Sequence, residues 1–300
     1  MEQFLEYFLS GLTRGSIYAL IALGYTMVYG IIGLINFAHG EIYMIGAFTA
    51  LITATALAVM GFPPLAILLL AGLAAIIWSA AYGFTIEKVA YKPLRSAQRL
   101  SPLISAIGMS IFLQNYVMLA QTSDFLRFPA LIPEFQWLAP WSHIINTPRF
   151  IILATTAVVM VLLTLLIRYS RTGKAMRATS QDREMALLVG VNVDRVISST
   201  FIIGSSLAAV GGVLIASYIG QINYFVGFIA GLKAFIAAVL GGIGSIPGAV
   251  LGGLILGWTE SFATGYISSE YEDVFAFALL VLILIFRPAG ILGKNSTQKV

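Results

Sequence analysis

Long apolar runs follow one another along almost the whole of this 300-residue chain, and they restrict its possible folds more than any other feature. A helix crosses the hydrocarbon core of a bilayer with about 20 consecutive apolar residues. We therefore predict nine membrane-spanning helices, near residues 8–30, 40–60, 63–86, 102–121, 148–169, 197–218, 226–245, 248–266 and 273–291. Eight is the alternative count, if one short glycine-broken run does not cross the membrane.

The composition supports a membrane location. Hydrophobic residues make up 59% of the chain and charged residues 10%, whereas a soluble domain carries about 25% charged residues. These charged residues are too few to cover the surface of a soluble globule of this size. Lipid must therefore solvate most of the surface of this chain. We predict an all-α, polytopic integral membrane protein with residues 1–300 as a single domain. The small basic excess, 17 Lys and Arg against 13 Asp and Glu, lies between apolar runs and does not indicate nucleic acid as a partner.

The positions of Lys and Arg predict the orientation, because basic residues concentrate in cytoplasmic loops. Three regions hold most of them: loop 87–100, loop 168–196 and the C-terminal end. Nine spans with an outer N-terminus place all three regions inside, so we expect a cytoplasmic C-terminus and a periplasmic N-terminus. These basic residues are Lys88, Lys92, Arg95, Arg99, Arg168, Arg171, Lys174, Arg177, Arg183, Arg195, Arg287, Lys294 and Lys299, against Arg127 and Arg149 in outer loops.

Two features belong to the predicted outer side. Acidic Glu2 and Glu6 stand where a cleaved signal peptide needs positive charge, so we expect the first apolar run to be retained as a span. The longest outer loop, 122–147, is rich in aromatic residues and proline. It is either an anchor at the membrane interface, where aromatic residues are common, or a docking surface for an external partner.

A glycine-rich break between the first two spans brings three polar side chains together. Asn36, His39 and Glu41 follow Gly30 and Gly33 within a few residues. Polar groups at membrane depth are costly and usually face a cavity or a partner. They therefore either line a transport pathway or gate, or form a satisfied network at a helix end. A metal site is not expected, since the chain has no cysteine and only two histidines, His39 and the distant His143.

A second glycine-rich segment, residues 240–257, predicts close helix packing. Gly244, Gly248 and Gly252 recur at a spacing of four, which strips one helix face of bulk and lets backbones approach. Ser245 and Pro247 give a helix-start signal. The segment is not a phosphate-binding loop, which requires Gly-x4-Gly-Lys-Ser/Thr. The Gly-Lys pair at 293–294 also fails that pattern, so we expect no ATP site of this kind and no catalytic residue in the chain.

The long inner loop, residues 170–196, predicts a short amphipathic helix. Ser180 can cap a helix that begins near residue 181, with Asp182 and Glu184 in its first turn. Gly190 fits a C-terminal stop. The apolar residues Met185, Leu188 and Val189 fall on one side. Such a helix is too short to span the membrane, so it either offers a surface to a cytosolic partner or lies on the bilayer or its own bundle.

The loop also contains Glu184-x-Ala186-x3-Gly190, which resembles the Glu-Ala-Ala-x3-Gly loop of ABC importer permeases, with Met185 in place of an alanine. Four longer segments are similar to branched-chain amino acid permeases, and the similarity covers about residues 10–295. They are GSIYALIALGYTMVYGIIGLINFAHGEIYMIGAF, LISAIGMSIFLQNY, KAFIAAVLGGIGSIPGAVLGGLILG and RPAGILG.

This resemblance implies a type II ABC importer-like permease in the bacterial inner membrane. Four predicted spans lie in residues 8–121 and four in residues 197–291, and the two sets start on opposite sides of the membrane, which predicts an inverted repeat. It implies the shorter of two related permease subunits, together with two cytosolic ATPase subunits and a periplasmic substrate-binding protein. The chain would bind no cofactor itself, because ATP is used by the partner subunits. The residues implied to couple it to an ATPase are Asp182, Glu184, Met185, Ala186 and Gly190.

The substrate implied by the resemblance, a branched-chain amino acid, is a zwitterion whose charges cannot cross hydrocarbon without a polar path. The candidate path residues are Asn36, His39, Glu41, Gln114, Asn115, Lys233 and Glu260, each of which could instead be structural. Two alternatives stay open. A permease of the same family could carry urea or short amides, or an ion-coupled secondary transporter could use Glu260 and Lys233. An intramembrane enzyme is not expected, because the spans hold neither paired aspartates nor a metal cluster.

Overall fold

The computed structural model describes residues 2–95, 97–98, 100–141 and 145–293. Arg99, His143, Lys294 and Lys299 lie outside the described residues. The helices are α1 Glu2–Ile32, α2 His39–Val59, α3 Pro64–Ile86, α4 Leu100–Ala120, α5 Thr147–Tyr169, α6 Arg171–Gln181, α7 Arg183–Leu188, α8 Val193–Ile219, α9 Val226–Gly241, α10 Ile246–Tyr266 and α11 Glu272–Phe286.

Shorter segments join these helices. A π-helical turn, Glu87–Tyr91, and a 3-10 turn, Lys92–Leu94, continue α3, and 3-10 turns also cover Gln136–Trp141 and Ser269–Tyr271. The two-residue strands β1, Leu126–Arg127, and β2, Gln221–Ile222, pair antiparallel. They tie the predicted outer loop 122–147 to the segment that follows α8. The structure confirms the all-α architecture expected for the chain.

Each of the nine predicted spans coincides with a described helix, but two of these helices are short. Seven helical segments are long and apolar enough to cross a membrane: α1, α2, α3 continued to Leu94, α4, α5, α8 and α10. The other two, α9 and α11, have 16 and 15 residues. A span needs about 20 residues, so these two helices do not cross a full bilayer by length alone. The count of nine crossings stays a prediction.

The bundle is built around α1. In the apolar stretch of this helix 83% of the residues are buried, against 17% in α5. Glycines let α10 run directly against α1: a Cβ at Gly15 would lie 2.8 Å from the Gly253 carbonyl oxygen, and one at Gly11 would lie 2.8 Å from the Cα of Trp258. Close backbone packing through small residues is the main source of helix association in a lipid environment. Helix α1 is therefore the centre of the fold, and α5 lies at its periphery.

The predicted packing glycines of α10 divide into two groups. Gly248 and Gly252 face α9, where an added Cβ would overlap the backbone of Gly241 and Ala237. Gly244 instead has a φ of +95° and its added Cβ would meet only Gly30, at 4.0 Å. It therefore serves the turn between α9 and α10. Ser245 caps α10 as predicted, since its side chain accepts a hydrogen bond of 3.2 Å from the Gly248 amide.

Candidate transport site at the α1–α2 break

The break between α1 and α2 is a tight turn inside the bundle. Gly33, with a φ of +71°, ends α1, and the His39 amide donates to the Asn36 carbonyl at 3.0 Å where α2 begins. Glycine adopts this left-handed conformation at little steric cost. Asn36, His39 and Glu41 are each 1% exposed. The sequence predicted three polar groups at a helix break, and the structure buries all three.

Asn36 is held by the end of α3. The Tyr91 hydroxyl lies 3.1 Å from Asn36 Oδ1 and 3.2 Å from the Ile35 carbonyl oxygen, and it donates toward both. Asn36 Nδ2 has no hydrogen-bond partner among the described residues. One half of this side chain thus fixes the turn, and the other half is an unsatisfied donor.

His39 lies against α1. Its ring meets Tyr25 edge-to-face, with the ring centroids 4.9 Å apart. Gly24 makes room for it, because a Cβ at that position would collide with the imidazole. In the part of the chain that the structure describes, His39 Nε2 has no hydrogen-bond partner. The ring is therefore packed tightly, with one polar nitrogen left unpaired.

Glu41 lies in the first turn of α2 and contacts α4 and α9. Its Oε1 accepts a hydrogen bond of 3.0 Å from the Ser110 hydroxyl, while Oε2 has no partner within the described ranges. A Cβ at Gly227 would lie 2.6 Å from Oε2. Sequence reasoning missed Ser110, although its spacing of four from Gln114 places both on the same face of α4.

A cavity of about 120 Å³ lies beside Ser110, which bonds the Glu41 carboxylate, and beside Gly227, where an added Cβ would lie close to Glu41 Oε2. Glu41 itself is not among the residues that line it. Its polar edge is formed by Ser110 and Tyr25, and Gly227 and Gly231 of α9 form part of its wall. The rest of the lining is apolar: Phe37, Ile107, Ile111, Phe228, Leu232 and Phe235. A concave, mostly apolar pocket with a few converging polar groups is the usual form of a small-molecule site.

The two amides predicted on α4 point in different directions. Gln114 is half-buried, and its Nε2 has no partner among the residues described here. Asn115 is exposed and donates to the Ile111 carbonyl of its own helix at 2.8 Å. Gln114 therefore shares the buried side of α4 with Ser110, and Asn115 lies on the outer face of the subunit.

Lys233 and Glu260 form a separate cluster. Lys233 Nζ lies 3.1 Å from Glu260 Oε1, 2.6 Å from Glu272 Oε1 and 3.0 Å from Asp273 Oδ1. These three carboxylates have the spacing of a metal site, but the ammonium group lies among them. Tyr18 donates to Glu260 Oε2 at 2.6 Å. Residues two positions apart on a helix point to nearly opposite sides. Lys233 therefore faces α10 and α11, whereas Gly231 faces α2.

The inner loop folds as two helices where one was predicted. Helix α6 comes directly before α7. Ser180 lies within α6, and its hydroxyl donates to the Arg177 carbonyl at 2.8 Å. The cap is Asp182, whose Oδ1 accepts from the Met185 amide at 3.0 Å. The prediction of Ser180 as the cap was therefore wrong, because its hydroxyl is used inside α6. The predicted stop after α7 is confirmed at Gly190, with a φ of +84°.

The apolar side of α7 is uncovered. Met185, Leu188 and Val189 are 61%, 80% and 76% exposed, whereas Ala186 is 2% exposed. Glu184 is exposed as well. Leu187 is 58% exposed too, so α7 and Val189 just after it present four large apolar side chains together with the Glu184 carboxylate.

Arg183 connects α7 to the end of α1. Its Nη2 and Nε donate to the Ile31 carbonyl oxygen at 2.7 and 3.2 Å. Burial lowers the pKa of the Arg183 guanidinium from its ordinary value, and the charge of Arg95 acts in the same direction. Arginine nevertheless stays ionised in proteins. A cation at the C-terminus of a helix is favourable. The sequence predicts only that Arg183 lies on the inner side and gives no sign of this contact.

A second ion-pair group lies at the end of α3. Buried Glu87 pairs with Arg95 and accepts a hydrogen bond of 2.9 Å from Ser198 of α8. Asp194 of α8 lies 2.6 Å from Arg95 and 2.8 Å from Lys92. These contacts fasten loop 87–100, predicted to lie on the inner side, to α8 next to the α6–α7 loop.

Comparison with known proteins places the chain in a family. The family model described as branched-chain amino acid transport system, permease component, matches residues 7–284. The high-affinity branched-chain amino acid transport system permease protein LivH of Salmonella typhimurium is 53% identical over 302 residues, which cover 99% of this chain and 98% of that protein. The corresponding protein BraD of Pseudomonas aeruginosa is 53% identical over the same shares of both chains.

A more distant relative is also similar over most of its length. The probable branched-chain amino acid transport permease protein LivH of Methanocaldococcus jannaschii is 26% identical over 92% of this chain and 88% of that protein. No solved structure matches the chain. The helices, the match of the family model over residues 7–284 and the 53% identity over nearly the full length agree. The chain is an integral membrane protein and belongs to the family of branched-chain amino acid transport system permease components.

Proposed function

We propose that this chain is a membrane-spanning subunit of an ATP-driven importer that carries leucine, isoleucine and valine across the bacterial inner membrane. The observation that carries the proposal is the 53% identity, over 99% of the chain, to proteins named as high-affinity branched-chain amino acid permeases. Substrate specificity depends on the residues that line a site. A relative that is similar over the whole chain is therefore the best basis for assigning the substrate of this chain.

The proposed assembly contains a second, homologous permease subunit, two cytosolic ATPases and a periplasmic substrate-binding protein. ATP is bound and hydrolysed by the ATPases. The N-terminus of this chain faces the periplasm and the C-terminus the cytoplasm, an orientation supported by the basic residues of loops 87–100 and 168–196. The exposed apolar patches on α4, α5 and α11 face lipid or the second permease.

Helix α7 is the proposed contact with an ATPase. Its exposed residues Met185, Leu188 and Val189 suit an apolar groove. The Arg183 contact with Ile31 gives a path from that groove to the helix break, because Ile31 lies two residues before Gly33. A rigid-body shift of α7 would thus displace the end of α1 and the turn that carries Asn36, His39 and Glu41. Switching between outward and inward states needs such a rigid, partner-linked element.

Ion-coupled transport, the alternative that would use Glu260 and Lys233, draws little support from the site. Lys233 is within 3.1 Å of three carboxylates on α10 and α11, and Tyr18 of α1 contacts Glu260. This arrangement joins four helices, as expected of a structural network. A urea or short-amide permease of the same family would lack a use for the apolar cavity beside Glu41. Branched aliphatic side chains suit that cavity better.

The assembly can be tested by purification. The tagged chain is expressed in its native host and solubilised in a mild detergent, and the proteins that accompany it are identified by mass spectrometry. We expect a second permease and an ATPase in stoichiometric amounts. Recovery of the folded chain from these membranes without any ATPase would contradict the proposal.

A further inference from the structure

We propose that Glu41, Ser110 and the cavity beside them form a binding site for an amino acid within this subunit, with the ammonium group at Glu41 and the branched side chain in the cavity. The inference rests on the proposed transport of branched-chain amino acids, and it adds a defined intramembrane site to that function.

The charge of Glu41 is the first argument. Three glutamates are buried in the described residues: Glu41, Glu87 and Glu260. Glu87 pairs with Arg95, and Glu260 pairs with Lys233. No basic side chain pairs with Glu41 in the part of the chain that is described.

A buried carboxylate with an unpaired oxygen is costly unless a cation or donor reaches it. The Ser110 hydroxyl satisfies only Oε1, at 3.0 Å, and Oε2 has no partner among these residues. An ammonium group supplies both a positive charge and three donors. Hydrogen bonds between an ammonium and a carboxylate are among the strongest in proteins. The site as it stands is therefore complementary to a primary ammonium ion.

The cavity is the second argument. Its volume of about 120 Å³ is close to that of an engineered protein cavity of about 150 Å³ that binds benzene. A branched four-carbon side chain is of similar size. Ser110 places a hydroxyl at the edge of this space, and the walls are aliphatic or aromatic. The cavity therefore offers an apolar chamber next to an anionic group.

The glycines of α9 keep this chamber accessible. A Cβ at Gly227 would lie 2.6 Å from Glu41 Oε2 and 2.9 Å from the Met44 Cβ. A Cβ at Gly231 would lie 2.9 Å from the Cα of Gly40 and 3.3 Å from the Tyr25 hydroxyl. Both glycines line the cavity. The unpaired oxygen and the cavity therefore share the wall formed by Gly227.

The test measures ligand-induced thermal stabilisation of the chain purified in detergent together with the subunits that accompany it, without ATP or binding protein. The ligands are leucine, 3-methylbutylamine, which keeps the ammonium and the branched chain, and 4-methylpentanoate, which lacks the ammonium. We expect the first two to raise the melting temperature with saturation and the third to have no effect. Glu41→Gln should weaken amine binding roughly tenfold or more, because a charge-assisted hydrogen bond is lost.

Matched variants separate loss of the site from loss of the fold. Glu134→Gln removes an exposed carboxylate, and Thr164→Ala removes an exposed hydroxyl that bonds only its own helix, so both should bind the amine as the native chain does. If Glu41→Gln does not fold, Ser110→Ala is used instead, with a smaller but measurable weakening expected. Equal amine binding in the native chain and the folded site variant would overturn the inference.

Two further outcomes also overturn it: stabilisation by 4-methylpentanoate but not by the amine, or no stabilisation by any ligand. The measurement needs no ATP hydrolysis. If the amine does not bind at this site but leucine import is intact, the inference alone is refuted. If the amine binds but there is no ATP-driven import, the proposed function alone is refuted.

Discussion

Arg183 of α7 donates to the backbone carbonyl of Ile31, 152 positions earlier in the chain, at the last turn of α1. Two nitrogens of one guanidinium share this oxygen at 2.7 and 3.2 Å. The contact joins the element proposed to meet the ATPase to the helix that ends at the Gly33 break. It gives the proposed coupling a definite structural link.

Removing that link should separate ATP hydrolysis from transport. We expect Arg183→Ala to retain the assembled complex while reducing substrate uptake per ATP hydrolysed about tenfold, since hydrogen bonds from charged groups contribute about 1.5–3 kcal/mol. Uptake and phosphate release are measured together in proteoliposomes. Arg171→Ala, which removes an exposed charge from the same loop, is the control. An unchanged ratio in Arg183→Ala would exclude the link.

The surface of α7 should decide whether the ATPase binds. Glu184→Lys reverses an exposed charge, and Gly190→Asp places a side chain at a φ of +84°, where glycine is favoured. Both variants should insert into the membrane normally but recover several-fold less ATPase on purification. Native amounts of ATPase and native transport in these variants would count against a role for α7 in docking.

The Lys233 cluster should contribute mainly to stability. Lys233→Met leaves the buried Glu260 without its cation, whereas the half-buried Glu272 keeps its ion pair with Arg14. Breaking a buried ion pair costs about 3–5 kcal/mol. We expect a marked fall in the melting temperature in detergent. Adding Glu260→Gln should recover part of the loss, because one uncompensated charge is removed. Lys174→Met, at an exposed position, is the control. Native stability of Lys233→Met would contradict this account.

Close packing of α1 against α10 gives another stability prediction. Gly15→Val would bring side-chain atoms onto the backbone of Gly253 and Leu254, where a Cβ alone would approach to 2.8 Å. Overpacking typically costs about 1–3 kcal/mol, and the rigid backbone at this contact places the expected cost at the upper end. Gly72→Val is the matched control, since a Cβ there meets nothing within 4 Å. Thermal unfolding should distinguish the two variants, and equal stability would refute the packing argument.

The sequence predicted the features that depend on local patterns. Apolar runs located the helices, Gly33 and Gly190 marked two helix ends, and Ser245 capped α10 as expected. Each of these depends on residues within one or two helical turns. Helix α6 was missed because its sequence is polar on average, so the few small or apolar residues on its buried face form no apolar run.

Contacts between distant residues could not be predicted in this way. Glu41 and Ser110 are 69 positions apart, and Lys233 and Glu272 are 39 apart. Which polar groups meet depends on how the helices pack around α1, and that depends on glycine contacts such as the one between Gly15 and Gly253. The sequence could therefore name Glu41, Lys233 and Glu260 as polar groups within spans. It could not tell that, among the described residues, Glu41 has no basic partner while Lys233 and Glu260 pair with each other.

The central claim is tested most directly by leucine uptake into proteoliposomes that contain this chain, its partner permease and the ATPases, with the binding protein and labelled leucine outside. With ATP sealed inside, we predict accumulation that stops when ATP is replaced by a non-hydrolysable analogue and that is unaffected by collapsing proton and sodium gradients. Accumulation that follows an ion gradient and persists without ATP would contradict the account.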